Sequence, residues 1–218
     1  TGDITGSVLT QCESKPDELD VIATAENFIG KIKQIPPMYS AIKIDGQKLV
    51  DLARNGLEIE REPRDVEIHD IKINAQAEGY HMSVVCSKGT YIRTLCTDIG
   101  DILNCGAVMT SLTRTRNGRF NLVESHTIED IENMDESDRI KLLMPLETLF
   151  DNLESVHLSD FYARLAKSGT EIYQKKIGTK YENDALIKLY HKNIFFALGR
   201  VKEYEKGSAL RPEKQFIL

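Results

Sequence analysis

The stretch from Asp65 to Leu103 most constrains how this 218-residue chain can fold. Asp65 to Ala77 reads as one strand, with Val66, Ile68, Ile71 and Ile73 apolar, and Tyr80 to Cys86 reads as its partner. Glu78 and Gly79 form the turn between them. The apolar phase of the first strand slips around His69 and Asp70, as a β-bulge would make it. The period then lengthens at once. Ile92, Leu95, Ile99 and Leu103 mark one face of a helix predicted over Tyr91 to Leu103, with Thr90 as its cap. The chain must therefore turn from a strand end directly into a helix N-terminus.

Upstream, Ser14 to Gly30 reads as a helix. Ser14 serves as cap, Pro16, Asp17 and Glu18 suit the first turn, and Gly30 suits the end. Its predicted inner face is Leu19, Ile22, Ala23, Glu26 and Ile29. Pro36 and Pro37 exclude a helix and a central strand. Ser40 to Ile44 alternates like a strand, Asp45 and Gly46 form a turn, and Gln47 to Arg54 fits a short helix ended by Asn55 and Gly56. Downstream, Ala107 to Thr115 is strand-like and Asn117 with Gly118 signals a hairpin. Thr127 with Asp130 resembles a capping box. From about Met144 the character changes: a helix of Asp160 to Lys167 capped by Ser159, then three short strands. The expected division is 1–148 and 149–218.

A composition 41% hydrophobic supports a folded core. No apolar run reaches the roughly 20 residues of a membrane span, and the first ten residues have neither a basic nor an apolar signal region. They also lack an initiator Met, so the chain is expected to begin inside something larger or after processing. Cys12, Cys86, Cys96 and Cys105 show no CxxC spacing and no zinc quartet, so no metal is expected. Scattered thiols without a secretory signal suggest reduced cysteines and a cytoplasmic location.

The net charge of −6 argues against a generic nucleic-acid binder, but it is unevenly spread. Residues 86–121 hold 5 Lys/Arg against 2 acids, and 161–218 hold 12 against 6. Residues 122–160 between them hold 2 against 11. Local charge decides phosphate affinity, although such runs also describe ordinary solvated faces.

The chemistry concentrates in CSKGTYIRTLCTDIG, Cys86 to Gly100. Unpaired N–H groups and the positive end of the helix dipole collect at such a turn. Gly89 permits positive φ, Arg93 adds a permanent cation that can hold a carboxylate, and Tyr91 adds a ring and a hydroxyl. From the residues alone, a solvent-facing Arg and a half-buried Tyr fit as well. Arg114 and Arg116 in LTRTRNG would share one strand face, suited to phosphates or simply to water.

In order, CSKGTYIRTLCTDIG, CGA at 105–107 and LTRTRNG resemble a block of the bacterial tRNA pseudouridine synthase B family. IPPMYSAIKIDGQKLVDLARNGLEIEREPRDVEI (35–68) is similar to that family's central segment, and FFALGRV with LRPEKQFIL to its small PUA-type domain. The resemblance implies an α+β fold: a mixed, largely antiparallel sheet with flanking helices, N-terminally truncated, followed by a small β-rich PUA-like RNA-binding domain over 149–218. It implies isomerisation of the tRNA T-loop uridine, with tRNA through its T-arm as partner, no cofactor, and no membrane. Arg93 matches the arginine that pairs with the family's catalytic aspartate. Tyr91 and Leu112 match contacts to the target nucleotide, and Lys88 and Gly89 shape the pocket turn. Lys43, Arg61, Arg64, Arg114 and Arg116 are candidate RNA-backbone contacts by charge and position.

The family's nucleophilic Asp lies in a GTLDPxATG-type block, and no Asp here has that context: Asp3, Asp45, Asp65 and Asp98 sit in GDI, IDG, RDV and TDI. TGDITG at 1–6 resembles the end of the family's TDTxDxxG stretch. The expectation is a chain inactive by itself that retains a separated N-terminal fragment or self-associates. The alternatives are a non-catalytic RNA-binding or tRNA-folding module, and an inactive proteolytic core.

Overall fold

The computed structural model describes residues 2–8, 10–13 and 15–216. It forms two compact units, Thr1–Val123 and Glu124–Leu218. The composition-based boundary lay at 148/149; the two acidic helices of 128–141 belong to the second unit.

The first unit is built from α1 (Glu18–Glu26), β1 (Gly30–Gln34), β2 (Lys43–Ile44), β3 (Gln47–Lys48), α2 (Leu49–Arg54), β4 (Arg64–Gln76), β5 (Gly79–Cys86), α3 (Ile92–Ile102), β6 (Arg116–Asn117) and β7 (Phe120–Asn121). Among the described residues its main sheet is three-stranded, in order β1-β4-β5, and antiparallel throughout. The predicted bulge is present. Ile68 stands opposite Cys86 and Asp70 opposite Val85, leaving His69 as the extra residue. That slip lets Ile68 and Ile71 enter one core with Ala25, Leu95 and Ile99, flanked by Phe28, Ile32, Ile73, Met82 and Val84. Asp45 and Gly46 both take positive φ in the β2–β3 turn, as their residue types favour.

Four local expectations need correction. Helix α1 starts at Glu18, with the Asp17 carboxylate accepting from Leu19 N–H at 3.0 Å; Ser14 lies outside the described residues. Its buried side is Val21, Thr24 and Ala25, and Leu19 is 74% exposed. The Glu18 carboxylate accepts from Ala75 N–H at 2.7 Å, which sets the helix's rotation on β4 and brings the small Thr24 and Ala25 inward. Ser40 to Ile42 is not strand, and α2 begins only at Leu49, because Gln47 and Lys48 pair back onto β2. Residues 107–115 form no strand either. Their alternation finds only an isolated bridge, Asp3 to Met109. Finally, Thr90 does not cap α3.

In the second unit, α4 (Ile128–Asn133) opens on the expected Thr127–Asp130 capping box, and α5 (Glu136–Lys141) follows. Then come β8 (Ser155–His157), α6 (Asp160–Lys167), β9 (Ile172–Tyr173), α7 (Gln174–Ile177), β10 (Leu186–His191), β11 (Ile194–Tyr204) and β12 (Gly207–Gln215). Among the described residues they form a five-stranded sheet, β8-β10-β11-β12-β9, in which β8 runs parallel to β10 and the other pairs are antiparallel. Ala163 and Ala166 of α6 pack with Ile187, Leu189, Ala197, Val201 and Leu210 in its core. Both units together make the α+β class with largely antiparallel sheets that the resemblance implied.

Candidate active site and nucleic-acid interface

Strand β5 leaves the sheet at Cys86, and the chain turns through Ser87–Thr90 into α3. Gly89 has φ +85, which a side chain would disfavour. The Thr90 hydroxyl donates to Ser87 O at 2.9 Å, closing the turn. The N-cap position of α3 falls to Tyr91, whose side chain makes no capping bond. Its main chain is held instead by Gln34: Tyr91 N–H donates to Oε1 at 2.9 Å, and Nε2 donates to Tyr91 O at 3.2 Å. No sequence pattern singled out Gln34, a lone polar residue at a strand end.

Arg93 is half-buried in the first turn of α3, and its Nη2 donates to Tyr39 O at 2.7 Å. The Pro36–Tyr39 loop therefore seats the guanidinium on the turn. Residues 2–6 run alongside. Met109 N–H donates to Gly2 O at 3.1 Å and Ile4 N–H to Met109 O at 3.0 Å. A Cβ at Gly2 would lie 3.1 Å from Thr97 Oγ1 and 3.7 Å from Arg93 Cβ, so only a glycine fits this passage comfortably. The adjacent Asp3 carboxylate is held below its usual range, chiefly by the Thr5 hydroxyl at 2.7 Å and Thr5 N–H at 3.0 Å. Slight desolvation opposes this, and the Arg93 charge assists it. Asp3 is a carboxylate beside Arg93 that its sequence context, GDI, did not single out.

Tyr91, Arg93, Lys88 and Gly89 thus share one strand-to-helix turn, with Lys88 and Gly89 exposed. Leu112, 60% exposed, and Arg114 lie on the extended stretch after the CGA turn, and Arg116 opens β6; both arginines are exposed. Without a strand at 114, these two arginines do not share a strand face. Lys43, Arg61 and Arg64 line one open cleft of about 450 Å³, together with Pro36, Ile42, Leu49 and the acids Glu60 and Glu62. Within it Arg61 is committed to the protein: Nη1 donates to Pro36 O and Nη2 to Glu58 Oε1, both at 3.2 Å. That leaves Lys43 and Arg64 as its exposed cations. Among the described residues there is no group of three or more His, Cys, Asp or Glu arranged to hold a metal. Nor, among the described residues, is any helix long and apolar enough to cross a membrane.

The chain is similar to known proteins along most of its length. The model of the TruB family pseudouridylate synthase N-terminal domain matches residues 1–92, and that of the tRNA pseudouridylate synthase B C-terminal domain matches residues 93–151. The tRNA pseudouridine synthase B of Clostridium tetani is 39% identical over 204 residues, covering 92% of this chain and 69% of that protein. That of Alkaliphilus oremlandii is 44% identical over 176 residues, covering 79% of this chain and 58% of that protein. Among solved structures, a chain of a Cbf5-Nop10-Gar1 complex superposes with a TM-score of 0.69 at 24% identity, covering 95% of this chain and 64% of its own. That likeness concerns the fold.

Proposed function

The chain belongs to the TruB family of pseudouridylate synthases, and from that premise we propose that it is part of a tRNA pseudouridine synthase acting on the T-loop uridine. The observation that carries the reading is the placement of Arg93. It sits at a helix start beside an open turn, anchored through one nitrogen to Tyr39 O, with further guanidinium donors available for a carboxylate.

The reaction breaks the N1–C1′ bond of uridine, turns the base and joins C5 to C1′. The C5 hydrogen leaves to solvent and N1 takes up a proton, so the isomerisation needs no external oxidant or reductant. Arg93 keeps the catalytic carboxylate ionised and oriented, because a cation within about 4–6 Å favours the charged form of an acid. Tyr91 and Leu112 pack on the target nucleotide, and Lys88 and Gly89 shape the turn that receives it. The uridine must be unstacked to reach them. Lys43, Arg64, Arg114 and Arg116 supply backbone contacts, and recognition rests on loop shape and phosphates rather than on a groove code. Arg61 contributes by holding the cleft. Residues 149–218 act as the PUA-like RNA-binding domain, in a cytoplasmic enzyme. The 218 residues by themselves do not turn over, since none of their aspartates has the family's nucleophile context.

A non-catalytic tRNA-binding role is favoured by one observation, the 12 Lys/Arg against 6 acids over residues 161–218. The decisive experiment is tritium release from C5-labelled T-loop uridine by the full-length enzyme. Arg93→Ala is expected to lower kcat by about 100-fold or more, the scale of losing a preorganised electrostatic group. An unchanged kcat would remove Arg93 from the chemistry. A full-length protein that binds tRNA with steep salt dependence and never isomerises it would establish the binding role instead.

A further inference from the structure

Gln34 ends β1, opposite Arg64 in the ladder with β4, and it is only 2% exposed. Its amide satisfies both main-chain polar groups of Tyr91. The pattern is that of a hydrogen-bonded residue pair in an antiparallel ladder, made here by one side chain. Tyr91 O also accepts from Leu95 N–H at 3.1 Å, the first turn of α3. The peptide planes on both sides of the Tyr91 Cα are therefore tied down, at φ −97 and ψ 106. The Tyr91 ring departs from that Cα, and Arg93 follows two residues later. The aim of both side chains is inherited from the sheet through a single buried amide.

We infer that Gln34 is a positioning residue for this site, setting the approach of Tyr91 to the target nucleotide and of Arg93 to the catalytic carboxylate without touching either; the inference rests on the function proposed above. A hydrophobic residue at position 34 fills the space but leaves the half-buried Tyr91 N–H without its acceptor and Tyr91 O with Leu95 N–H alone, so the helix start must shift to find another partner. Displacements of that kind cost rate more than affinity, because catalysis depends on near-attack geometry while backbone contacts tolerate it.

The second unit contains a matched control. Gln174, 5% exposed, accepts from Tyr181 N–H at 2.6 Å and donates to Tyr181 O at 3.1 Å and Ser208 Oγ at 2.7 Å. It is the same device at similar burial, away from the strand-to-helix turn in sequence and in a different compact unit.

The test compares Gln34→Leu, Gln174→Leu and Arg93→Ala in the full-length enzyme, by single-turnover isomerisation of T-loop RNA, RNA affinity and thermal melting. Both glutamine variants are expected to melt at lower temperature. Only Gln34→Leu is expected to slow isomerisation, by about 10- to 100-fold with RNA affinity retained. A rate loss for Gln34→Leu no larger than for Gln174→Leu overturns the inference. Wild-type turnover by Arg93→Ala would instead overturn the underlying reading, so the two failures are distinct. Should Gln34→Leu not fold, Gln34→Glu replaces it. The introduced acid keeps the acceptor but offers a donor to Tyr91 O only when protonated. Its rate relative to wild type is expected to rise as pH falls, and a flat ratio overturns the inference.

Discussion

The Gly100 backbone is where the CGA turn comes to rest. A Cβ at Gly100 would lie 2.3 Å from both Ala107 N and Gly106 C, and 2.7 Å from Ala107 Cβ. Cys105 N–H and Gly106 N–H both donate to Gly100 O, at 3.1 and 3.0 Å. The two motifs, DIG and CGA, are thus halves of one close approach. Gly100→Ala must push main chain, not a flexible side chain. It is expected to cost about 1–3 kcal/mol in urea unfolding, the usual scale of overpacking; a loss within about 0.5 kcal/mol would show that the turn yields freely. Residues of this kind are legible only in part. Gly89 and Gly46 announce positive φ through turn chemistry, but Gln34 announces nothing, because its two partners lie 57 residues away. Arg61 is visible in sequence as a cation; that it is spent on Pro36 O and Glu58 depends on how the 57–63 loop folds back.

Among the elements, the β4–β5 hairpin was readable to within a residue or two, bulge included, because alternation, its slip and the turn are all local signals. The inner face of α1 was not. Which side of an amphipathic helix is buried depends on its partner, and here Ala75 N–H and the Glu18 carboxylate decide it. The 107–115 segment alternates like a strand but has no ladder to join, so pattern alone misleads. Thr90 reads as a cap, yet its hydroxyl is consumed by Ser87 O, as Thr side chains commonly compete for nearby backbone. The bulge gives a sharp prediction. Deleting His69 would leave Asp70 opposite Val85 and Ile71 opposite Val84, with Val66, Ile68, Ile71 and Ile73 in plain alternation on one face, so only the bulge itself is lost. The deletion is therefore expected to keep cooperative unfolding by circular dichroism. His69→Ala, at an exposed position, is expected to stay within about 0.5 kcal/mol of wild type. Loss of cooperative unfolding on deletion would show that the bend of the bulge, and not the apolar alternation, is what the core requires.

At the scale of the whole molecule, the shifted carboxyls are lowered in the second unit and of mixed sign in the first. In the second unit the Asp160 carboxyl is held low first by its 2.6 Å hydrogen bond with His191 and then by Lys192. Glu213 is held low by its bidentate pairing with Arg200, Asp130 by the Thr127 hydroxyl and N–H, and Asp135 by Asp138 N–H and the Ser137 hydroxyl. Each binds a proton less readily folded than unfolded. Their stabilisation is therefore fully present above the ordinary carboxylate range, about pH 4, and is lost as pH falls through the lowered folded values. In the first unit Asp3 shares that sign, but burial and then the neighbouring Asp101 raise the Asp98 carboxyl. The folded state there takes up the proton more readily, so the contribution of Asp98 favours folding at low pH and is lost as pH rises. Hydrogen exchange followed by mass spectrometry separates the two responses within one sample. Between about pH 5 and about pH 2, after correction for intrinsic exchange, protection in β11 and β12 is expected to fall more than in β4 and α3. These groups are largely exposed, so added salt should narrow the difference. Loss of protection in β4 and α3 ahead of β11 and β12 would mean that the paired carboxylates of the second unit do not govern its acid stability.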